Sequence, residues 1–347
     1  MTAPAGSKTM ATDGITVVVP VRDEAGDVAS ALASLAAQSV GPSRIEVLVY
    51  DGGSADRTVE ICREFACRYE WGGFEVLKNP SRTVPYALNA ALERSRCQWF
   101  TRLDGRIRFS PGYLERCMDA AVGDGATTAV GGRLETDAVG VVASAIAAAV
   151  SHPLGVGRGF RSLAPNRSTR LVSIPHHPFA VWRTRQVREL GGFDLRLTRN
   201  QDDEFSMRAI QAGASIKAAT DVTAYYKPRE RFRGLAAQYF QYGLWKSIVA
   251  RETRLFPLRS AVPALQTVCA AGTVALAASG RTRRPAAVLA GIYGAAGAVV
   301  GHRQPRVHAV PAGLALATVH ICYGCGVIAG LVAPGLTKSP VARVRIR

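Results

Sequence analysis

Residues 15–19 read Ile-Thr-Val-Val-Val, and residues 45–56 read Ile-Glu-Val-Leu-Val-Tyr-Asp-Gly-Gly-Ser-Ala-Asp. The first segment consists mainly of β-branched and apolar side chains without alternation, which predicts a strand buried on both faces, and residues 45–50 predict a second strand. Apolar residues recur at helical spacing over residues 28–35, and residues 58–65 predict a second helix. Strand, helix, strand and helix in this order indicate right-handed βαβ units in a parallel sheet.

Two further apolar runs, residues 74–77 and 99–103, predict the next strands. Asp51 and Asp104 each come directly at the end of a predicted strand. In open parallel sheets, ligands bind outside the carboxyl ends of the strands. We therefore expect Asp51 and Asp104 to share one crevice.

Charge is distributed unevenly along the 347 residues. Lys and Arg number 43 against 26 Asp and Glu, a net charge of +17, and no acidic residue follows Glu252. The first 252 residues hold 32 basic and 26 acidic side chains, so the remaining charge of +11 lies on an apolar C-terminal part. A nucleic-acid-binding protein concentrates basic charge on a folded face, so we expect no nucleic-acid partner. A hydrophobic content of 48% excludes a disordered chain.

Three apolar stretches at residues 260–280, 285–302 and 307–337 predict membrane helices. Each is near or above the roughly 20 residues that span a bilayer, and Gly and Ala suit close helix packing in lipid. Basic residues separate the stretches at 281–284 and 303–306. The sequence therefore predicts a C-terminal membrane region.

Between the predicted strands and this region, three segments have distinct patterns. Residues 138–150 are apolar but too short to span a bilayer, and they predict a buried or interfacial helix. Residues 151–175 are rich in Gly, Pro, Arg and Ser and predict a mobile loop, whereas residues 203–212 predict a polar helix. His176 and His177 are adjacent on an extended segment, so their side chains point to opposite faces. We expect a structural role for this pair rather than shared metal ligation.

The run Asp51-Gly-Gly-Ser-Ala-Asp-Arg-Thr58 suits nucleotide recognition. A carboxylate at a strand end can accept hydrogen bonds from a base or a ribose, and glycines let the backbone approach the ligand. The alternative is an ordinary turn before a capped helix. Pro20-Val-Arg-Asp-Glu24 forms a second polar cluster at the same sheet edge.

These motifs together resemble the inverting family 2 glycosyltransferases, which have a GT-A fold and use nucleotide-diphosphate sugars. The resemblance covers most of residues 15–250 and is closest to the membrane-associated, succinoglycan-synthesis type. It is carried by Ile15–Glu24, the helix ending at Gln38-Ser39, Glu46–Thr58, Asn79–Asn89, Arg102–Arg106, Gly155–Gly157, Gly191–Asp194, Asn200–Phe205 and Gln238–Gly243. It implies an α/β catalytic domain with a Rossmann-like, mostly parallel mixed sheet.

The resemblance also implies a set of donor-binding residues. Asp51 is expected to bind uracil or an equivalent base. The nucleotide pocket is expected to include Pro20, Arg22, Glu24, Gly53, Ser54 and Arg82.

Asp104 matches the first acid of the Asp-x-Asp motif, whose metal bridges the donor diphosphate. Arg106 stands where a second carboxylate is usual. We therefore expect Asp104 alone to anchor Mg²⁺ or Mn²⁺, while Arg106 meets the diphosphate directly, because guanidinium suits phosphate geometry. A surface arginine without a role is the alternative.

The segment Asn200-Gln-Asp-Asp-Glu-Phe205 matches the acidic segment of the family, and the resemblance places Asp202 as the catalytic base. The acceptor hydroxyl must lose a proton as it attacks the anomeric carbon, and a carboxylate within hydrogen-bond reach can take it. Asp203 and Glu204 are further candidates. The alternative is a solvated helix start, where acidic residues complement the helix dipole.

Lys227, Arg229, Gln238 and Trp245 are candidates downstream. A basic side chain at residue 227 or 229 could offset leaving-group charge, and Trp245 could stack on an acceptor sugar. An amphipathic interfacial helix with basic anchors is an equally good interpretation. The Gln-x-x-Arg-Trp element of processive synthases is not reproduced, which favours addition of a single sugar.

We therefore predict a catalytic domain over residues 1–250 and a membrane domain over 251–347 with two to three transmembrane or re-entrant helices. The expected reaction transfers a sugar from a nucleotide-diphosphate donor, UDP-linked, to a polyprenyl-linked or glycan acceptor. The expected location is the cell membrane, in contact with membrane lipids and with the catalytic domain in the cytoplasm. A processive polysaccharide synthase and a non-catalytic adaptor with a degenerate glycosyltransferase fold remain as alternatives.

The basic residues of the C-terminal part bear on topology. If residues 260–280 dip into the membrane or lie along it, only two segments cross, and nine of the eleven basic residues face the cytoplasm. Arg303 and Arg306 then lie outside, which agrees with the bias of Lys and Arg towards the cytoplasmic side. The sequence favours this two-span arrangement over three spans.

Overall fold

The fold comes from a computed structural model that describes residues 13–125, 127–156, 163, 170–253, 258–280, 282–302 and 307–333. The strands in these ranges are β1 Ile15–Val21, β2 Ile45–Asp51, β3 Gly73–Lys78, β4 Trp99–Arg102, β5 Ile107–Phe109, β6 Ala129–Thr136, β7 Leu171–Ser173, β8 Val181–Arg183 and β9 Ile216–Tyr226. The helices are α1 Val28–Ala36, α2 Thr58–Arg68, α3 Val84–Arg94, α4 Tyr113–Gly123, α5 Val141–Ser151, α6 Pro153–Val156, α7 Thr184–Glu189, α8 Gln201–Gln211, α9 Phe232–Thr253, α10 Leu258–Ala278, α11 Arg284–Gly301 and α12 Ala309–Val332.

The strands form one sheet with the order β3-β2-β1-β4-β8-β6-β9-β5, and β7 pairs with β9. Strands β1 to β4 pair in parallel, which confirms the βαβ units and the four predicted strands. Val17 and Val47 lie in the centre of this half and are fully buried, as expected for strands covered on both faces.

The second half of the sheet is mixed. Strand β8 runs antiparallel to β4 and β6, and β6 runs parallel to β9. The register between β6 and β9 shifts at Gly132 and Arg133, and such a bulge bends the paired strands. The α/β class and the mixed sheet are therefore as predicted.

The prediction of a loop over residues 151–175 is wrong in part. Helix α6 and strand β7 fall within this segment, while residues 157–162 and 164–169 lie outside the described residues. Strand β7 pairs with Lys217–Ala219 of β9. A strand of three residues has no periodic signal of its own, and it forms here because the edge of β9 offers backbone partners.

Two predicted helices are confirmed. Residues 138–150 overlap α5, which is buried from Ala143 to Val150, and residues 203–212 overlap α8. Helix α8 follows Asn200, whose φ is +59°, and is terminated by Gly213, whose φ is +90°. The side chains at the start of α8 therefore emerge from a sharp turn of the chain.

Helices α10, α11 and α12 confirm the predicted C-terminal apolar helices, and all three are long and apolar enough to cross a membrane. Helix α12 also packs on α9. A Cβ added at Gly326 would lie 2.1 Å from the carbonyl oxygen of Phe240, and one added at Gly243 would lie 2.0 Å from that of Tyr323. The backbones of α9 and α12 are therefore in direct contact.

Candidate active site

Side-chain hydrogen bonds join the loops that follow β1 and β2. The amide of Asp23 donates to Ser54 Oγ at 3.0 Å, and the amide of Ala55 donates to Asp23 Oδ1 at 2.8 Å. The amide of Glu24 donates to Thr58 Oγ1 at 2.8 Å. These bonds hold the Pro20–Glu24 motif beside the Asp51–Thr58 motif, as their positions on neighbouring strands predict.

The Asp51 carboxylate organises its own loop. It accepts hydrogen bonds from the amides of Gly53 and Ser54, at 3.1 and 3.0 Å, and from Ser54 Oγ at 2.6 Å. Gly53 has a φ of +83°, and the Arg82 guanidinium lies 3.7 Å from where its Cβ would be. The structure thus brings four predicted donor-binding residues together.

A large cavity of about 660 Å³ opens at the sheet edge next to this loop. Its lining includes Pro20, Glu24, Asp104, Arg106, Asp202, Asp203, Arg229 and Gln238 of the predicted residues. Asp51 is not among the residues that line this cavity, so a common crevice for Asp51 and Asp104 stays a prediction. One strand, β1, separates the strands that carry them. Arg22 also lies outside, with a half-exposed side chain beside Asp23.

Asp104 is held at the end of β4 by Arg102. The guanidinium contacts both carboxylate oxygens, with Nη2 at 2.7 Å from Oδ2. Arg106 donates from Nε to Asp27 at 3.1 Å, and its Nη1 is buried without a hydrogen-bond partner among the described residues. The guanidinium of Arg102 therefore lies beside Asp104, whereas that of Arg106 lies beside Asp27.

Glu24 lines the same cavity as Asp104. Burial, reinforced by the negative charge of Asp104, raises the pKa of the Glu24 carboxyl to about 7, although Arg106 opposes the shift. Its Oε2 atom is buried and has no hydrogen-bond partner in the described ranges. A carboxyl group in such surroundings binds a proton or a cation more readily than an exposed one.

The three consecutive acids of α8 have different environments. Asp203 pairs with Lys246, which is 6% exposed, and Glu204 is buried and pairs with Arg208 at 2.8 Å. Asp202 lines the cavity, and no described residue donates a hydrogen bond to it or forms an ion pair with it. Of the three carboxylates, that of Asp202 is the one available to a ligand, and Glu204 does not line the cavity.

The candidates Lys227, Gln238 and Trp245 also differ in whether they line the large cavity. Lys227 donates to Asp27 at 2.8 Å and lines a smaller cavity of about 350 Å³ next to Arg106. Gln238 lines the large cavity and donates to the Tyr242 hydroxyl at 2.9 Å. Trp245 is 7% exposed, packs with Leu197 and Val249, and does not line the cavity. The expectation that Trp245 stacks on a sugar is therefore wrong, because the indole faces the protein core.

His176 and His177 point to opposite faces, as predicted. His177 is buried, with Nε2 2.8 Å from the carbonyl oxygen of Gly132 and Nδ1 accepting from the Phe179 amide. His176 lines the cavity with Nδ1 3.8 Å from Asp203. The structural role is confirmed for His177, whereas His176 belongs to the cavity wall.

Sequence reasoning missed several residues of the cavity. Arg102 lies in the Arg102–Arg106 motif and Lys246 follows Trp245 in the chain, and spacing gives no indication that each would pair with an acid there. The lining also includes Val262, Pro263 and Gln266 of α10 and Val319, His320 and Tyr323 of α12. The cavity thus has a charged end at the sheet and a more apolar end at the C-terminal helices.

The sequence model described as Glycosyl transferase family 2 matches residues 16–190, and the chain belongs to this family. It is a glycosyltransferase with an α/β, GT-A-like fold. It is 26% identical over 313 residues to the succinoglycan biosynthesis protein ExoA of Rhizobium meliloti, covering 89% of this chain and 92% of that protein. It is 29% identical over 235 residues to the glycosyltransferase AglE of Haloferax volcanii, covering 66% and 71%.

Among solved structures, a mannosyltransferase of Pyrobaculum calidifontis in complex with GDP-mannose and Mn²⁺ has a similar fold. Its TM-score is 0.62 at 19% sequence identity, over 93% of this chain and 89% of that one. The alignment therefore extends beyond the sheet and includes most of the C-terminal helices.

Proposed function

We propose that this chain is an inverting glycosyltransferase that moves a sugar from a nucleotide-diphosphate sugar, UDP-linked, to a hydroxyl of a lipid-linked or cell-envelope glycan. The observation that carries the proposal is the Asp202 carboxylate, which lines the large cavity while its two acidic neighbours are paired with Lys246 and Arg208. A general base needs this combination of access and an unengaged oxygen.

In this reaction the acceptor oxygen forms a bond to the anomeric carbon, and its proton passes to Asp202. The bond from that carbon to the diphosphate oxygen breaks on the opposite face, and the nucleoside diphosphate leaves with the electron pair. Arg106 and Arg229 line the same cavity, and their charges would stabilise the leaving diphosphate.

The donor base would lie at the Asp51 loop, with Gly53, Ser54, Arg82 and Arg22 around it. A carboxylate has about four lone-pair sites, so Asp51 can accept a bond from a base in addition to those of its loop. Strand β1 lies between the strands that carry Asp51 and Asp104, which makes the two strand ends about 10 Å apart. This separation suits a nucleoside at one end and its diphosphate at the other.

A divalent cation, Mg²⁺ or Mn²⁺, would be held by Asp104, and the buried, unpartnered oxygen of Glu24 beside it fits such a group. When bound, the cation would neutralise the charge of the diphosphate. Among the described residues, no group of three His, Cys, Asp or Glu side chains could hold a metal by itself. The donor diphosphate would therefore supply ligands as well.

The acceptor would enter from the apolar end of the cavity. Pro263 of α10 and Val319 of α12 line this end, and both helices are apolar enough to lie in a membrane. A lipid-linked acceptor combines an alkyl chain with a polar head, which suits a cavity with one apolar and one charged end. The Rhizobium meliloti relative is a succinoglycan biosynthesis protein, which supports a glycan acceptor of this kind.

We also propose that the protein lies in the cell membrane with its catalytic domain in the cytoplasm, where nucleotide sugars are available. Two helices would cross, and α10 would dip into the membrane or lie along it. This arrangement leaves only Arg303 and Arg306 of the eleven C-terminal basic residues outside, in keeping with the positive-inside bias. A reporter fused after Arg347 tests it, because an external C-terminus would contradict two spans.

The test of the reaction uses the full-length protein in detergent. A panel of nucleotide sugars is first ranked by thermal stabilisation, and transfer from the stabilising donor to a lipid-linked acceptor is then measured. Asp202→Asn should keep the stabilisation and lose about 10²- to 10⁴-fold in rate. The matched control is Asp119→Asn, which removes an exposed carboxylate on α4. Near-normal transfer by Asp202→Asn would refute the assignment of the base, and no transfer by the parent chain would favour a non-catalytic adaptor.

A further inference from the structure

The Asp-Gly-Arg sequence at residues 104–106 leaves a divalent cation with one protein carboxylate. The side chain of Arg106, at the position of a second acid, binds Asp27 instead. Mg²⁺ and Mn²⁺ are usually held by one or two carboxylates together with substrate phosphate oxygens. A second carboxylate, if there is one, must therefore come from another element.

Glu24, in the loop after β1, is in the right place to supply this second carboxylate. A Cβ added at Gly105 would lie only 1.8 Å from Glu24 Oε2 and 2.8 Å from its Cδ. The carboxylate thus occupies the space that any larger residue at 105 would fill, directly beside Asp104. Both side chains line the same cavity.

Among the described residues, the carboxylate of Glu24 forms no hydrogen bond that would stabilise the fold. Its Oε2 is buried and has no hydrogen-bond partner in the described part of the chain. A buried, unpaired carboxylate oxygen costs free energy, so a fold that retains one has a use for it. The loop itself is held by the Glu24 amide, which donates to Thr58 Oγ1 at 2.8 Å.

Asp104 can serve a cation without releasing Arg102. A carboxylate has about four lone-pair sites, and the two contacts with Arg102 use one side of the group. The other side is available, and Asp104 lines the cavity. Arg102 then acts as a positioning residue that fixes the orientation of the Asp104 carboxylate.

We propose that Glu24 supplies the second protein carboxylate of a divalent-cation site with Asp104, and that Gly105 is required because it leaves room for Glu24. The inference rests on the proposed function, since the diphosphate of the donor completes the site. Two acids from different loops would thereby replace the paired acids of a single Asp-x-Asp motif. The rival arrangement is a direct Glu24–Arg106 pair without a cation, because Arg106 Nη1 is also buried without a partner among the described residues.

The experiment measures Mn²⁺ binding rather than turnover. Full-length protein in detergent is titrated with Mn²⁺, with and without UDP, and free Mn²⁺ is followed by its electron paramagnetic resonance signal. The parent chain should bind one Mn²⁺ saturably. Glu24→Gln and Asp104→Asn should each weaken binding at least tenfold. Gly105→Ala should weaken it as well, because the added Cβ displaces Glu24.

The matched control is Glu230→Gln. Glu230 lines the neighbouring smaller cavity and its side chain is 62% exposed, so this variant removes the same charge without removing a ligand. It should change Mn²⁺ affinity less than threefold. Thermal unfolding of each variant confirms that it is folded, and Glu24→Gln, which keeps the size of the side chain, remains informative if Gly105→Ala does not fold.

Two outcomes would overturn the proposal. Glu24→Gln that binds Mn²⁺ like the parent chain would show that Glu24 is not a ligand. A parent chain that binds no Mn²⁺ saturably, with or without UDP, would favour the Glu24–Arg106 pair. If the parent chain binds no Mn²⁺ but still transfers sugar in excess chelator, the cation site is refuted and the proposed function stands. The failure of the cation site can therefore be distinguished from the failure of the proposed function.

Discussion

Replacing Lys246 with Met should destabilise the folded protein strongly, because Lys246 forms a buried ion pair with Asp203. The lysine side chain is 7% exposed and the aspartate side chain 15%. Removal of one partner from such a pair costs about 3–5 kcal/mol, since the remaining charge stays in a poorly solvated place. Asp203 lines the cavity and lies 3.8 Å from His176, so water and the imidazole can lessen the penalty. We therefore expect about 3 kcal/mol.

The assay is unfolding of the detergent-solubilised chain at neutral pH. For a domain of this size a loss of about 3 kcal/mol lowers the midpoint temperature by about 6–12 °C. The control is Lys217→Met, which removes a lysine paired with Asp124, where the two side chains are 21% and 36% exposed. That more solvated pair should contribute about 0–1 kcal/mol.

A double variant separates the ion pair from the packing of the lysine stem. Asp203→Asn combined with Lys246→Met should recover part of the loss, with a coupling energy of about 2 kcal/mol between neighbouring sites. Equal shifts for Lys246→Met and Lys217→Met, or a coupling energy near zero, would refute the conclusion that burial makes the Lys246–Asp203 pair costly to break.

Two further substitutions test how the site is supported. Asn89 joins its amide to the backbone of Phe193, with Nδ2 donating at 2.7 Å and Oδ1 accepting at 2.8 Å. Asn89→Leu should cost about 2–5 kcal/mol in the free energy of unfolding, because two buried backbone groups lose their partners; a cost below about 1 kcal/mol would contradict this. Gly326→Ala should lower the midpoint temperature, because its Cβ would meet the Phe240 carbonyl at 2.1 Å and overpacking costs about 1–3 kcal/mol. Gly291→Ala, whose Cβ would meet nothing within 4 Å, is the matched control, and equal effects of the two would show that α9 and α12 separate freely.

Strands β1 and β2 could be predicted because their own residues have the composition of buried strands. Strands β1 and β2 are almost wholly buried and contain the apolar runs Val17–Val19 and Val47–Tyr50, and the acids at their ends follow from chain direction alone. Strand β7 could not be predicted, since three residues contain no period. Its existence depends on a partner about 45 residues away in the chain.

For the site, the sequence predicted which acids to consider but not which one is available. Asp202, Asp203 and Glu204 are equivalent as a pattern, and they are distinguished only by the partners Lys246 and Arg208. Trp245 was misplaced for the same reason. Helical periodicity says which residues share a face of α9, whereas the neighbours of α9 decide whether that face meets the cavity or the core.

Helices α9 and α12 are in contact, and both contribute residues to the wall of the candidate active site. Gln238 and Tyr242 of α9 line the cavity, and two turns of the same helix meet the backbone of α12 at Gly243 and Gly326. Close backbone approach at glycine leaves little room for sliding. A displacement of α12 would therefore move the part of the cavity wall that contains Val319, and it would also push on α9. In the proposed reaction, an acceptor that enters beside α12 would be aligned with Asp202 by this closely packed helix pair.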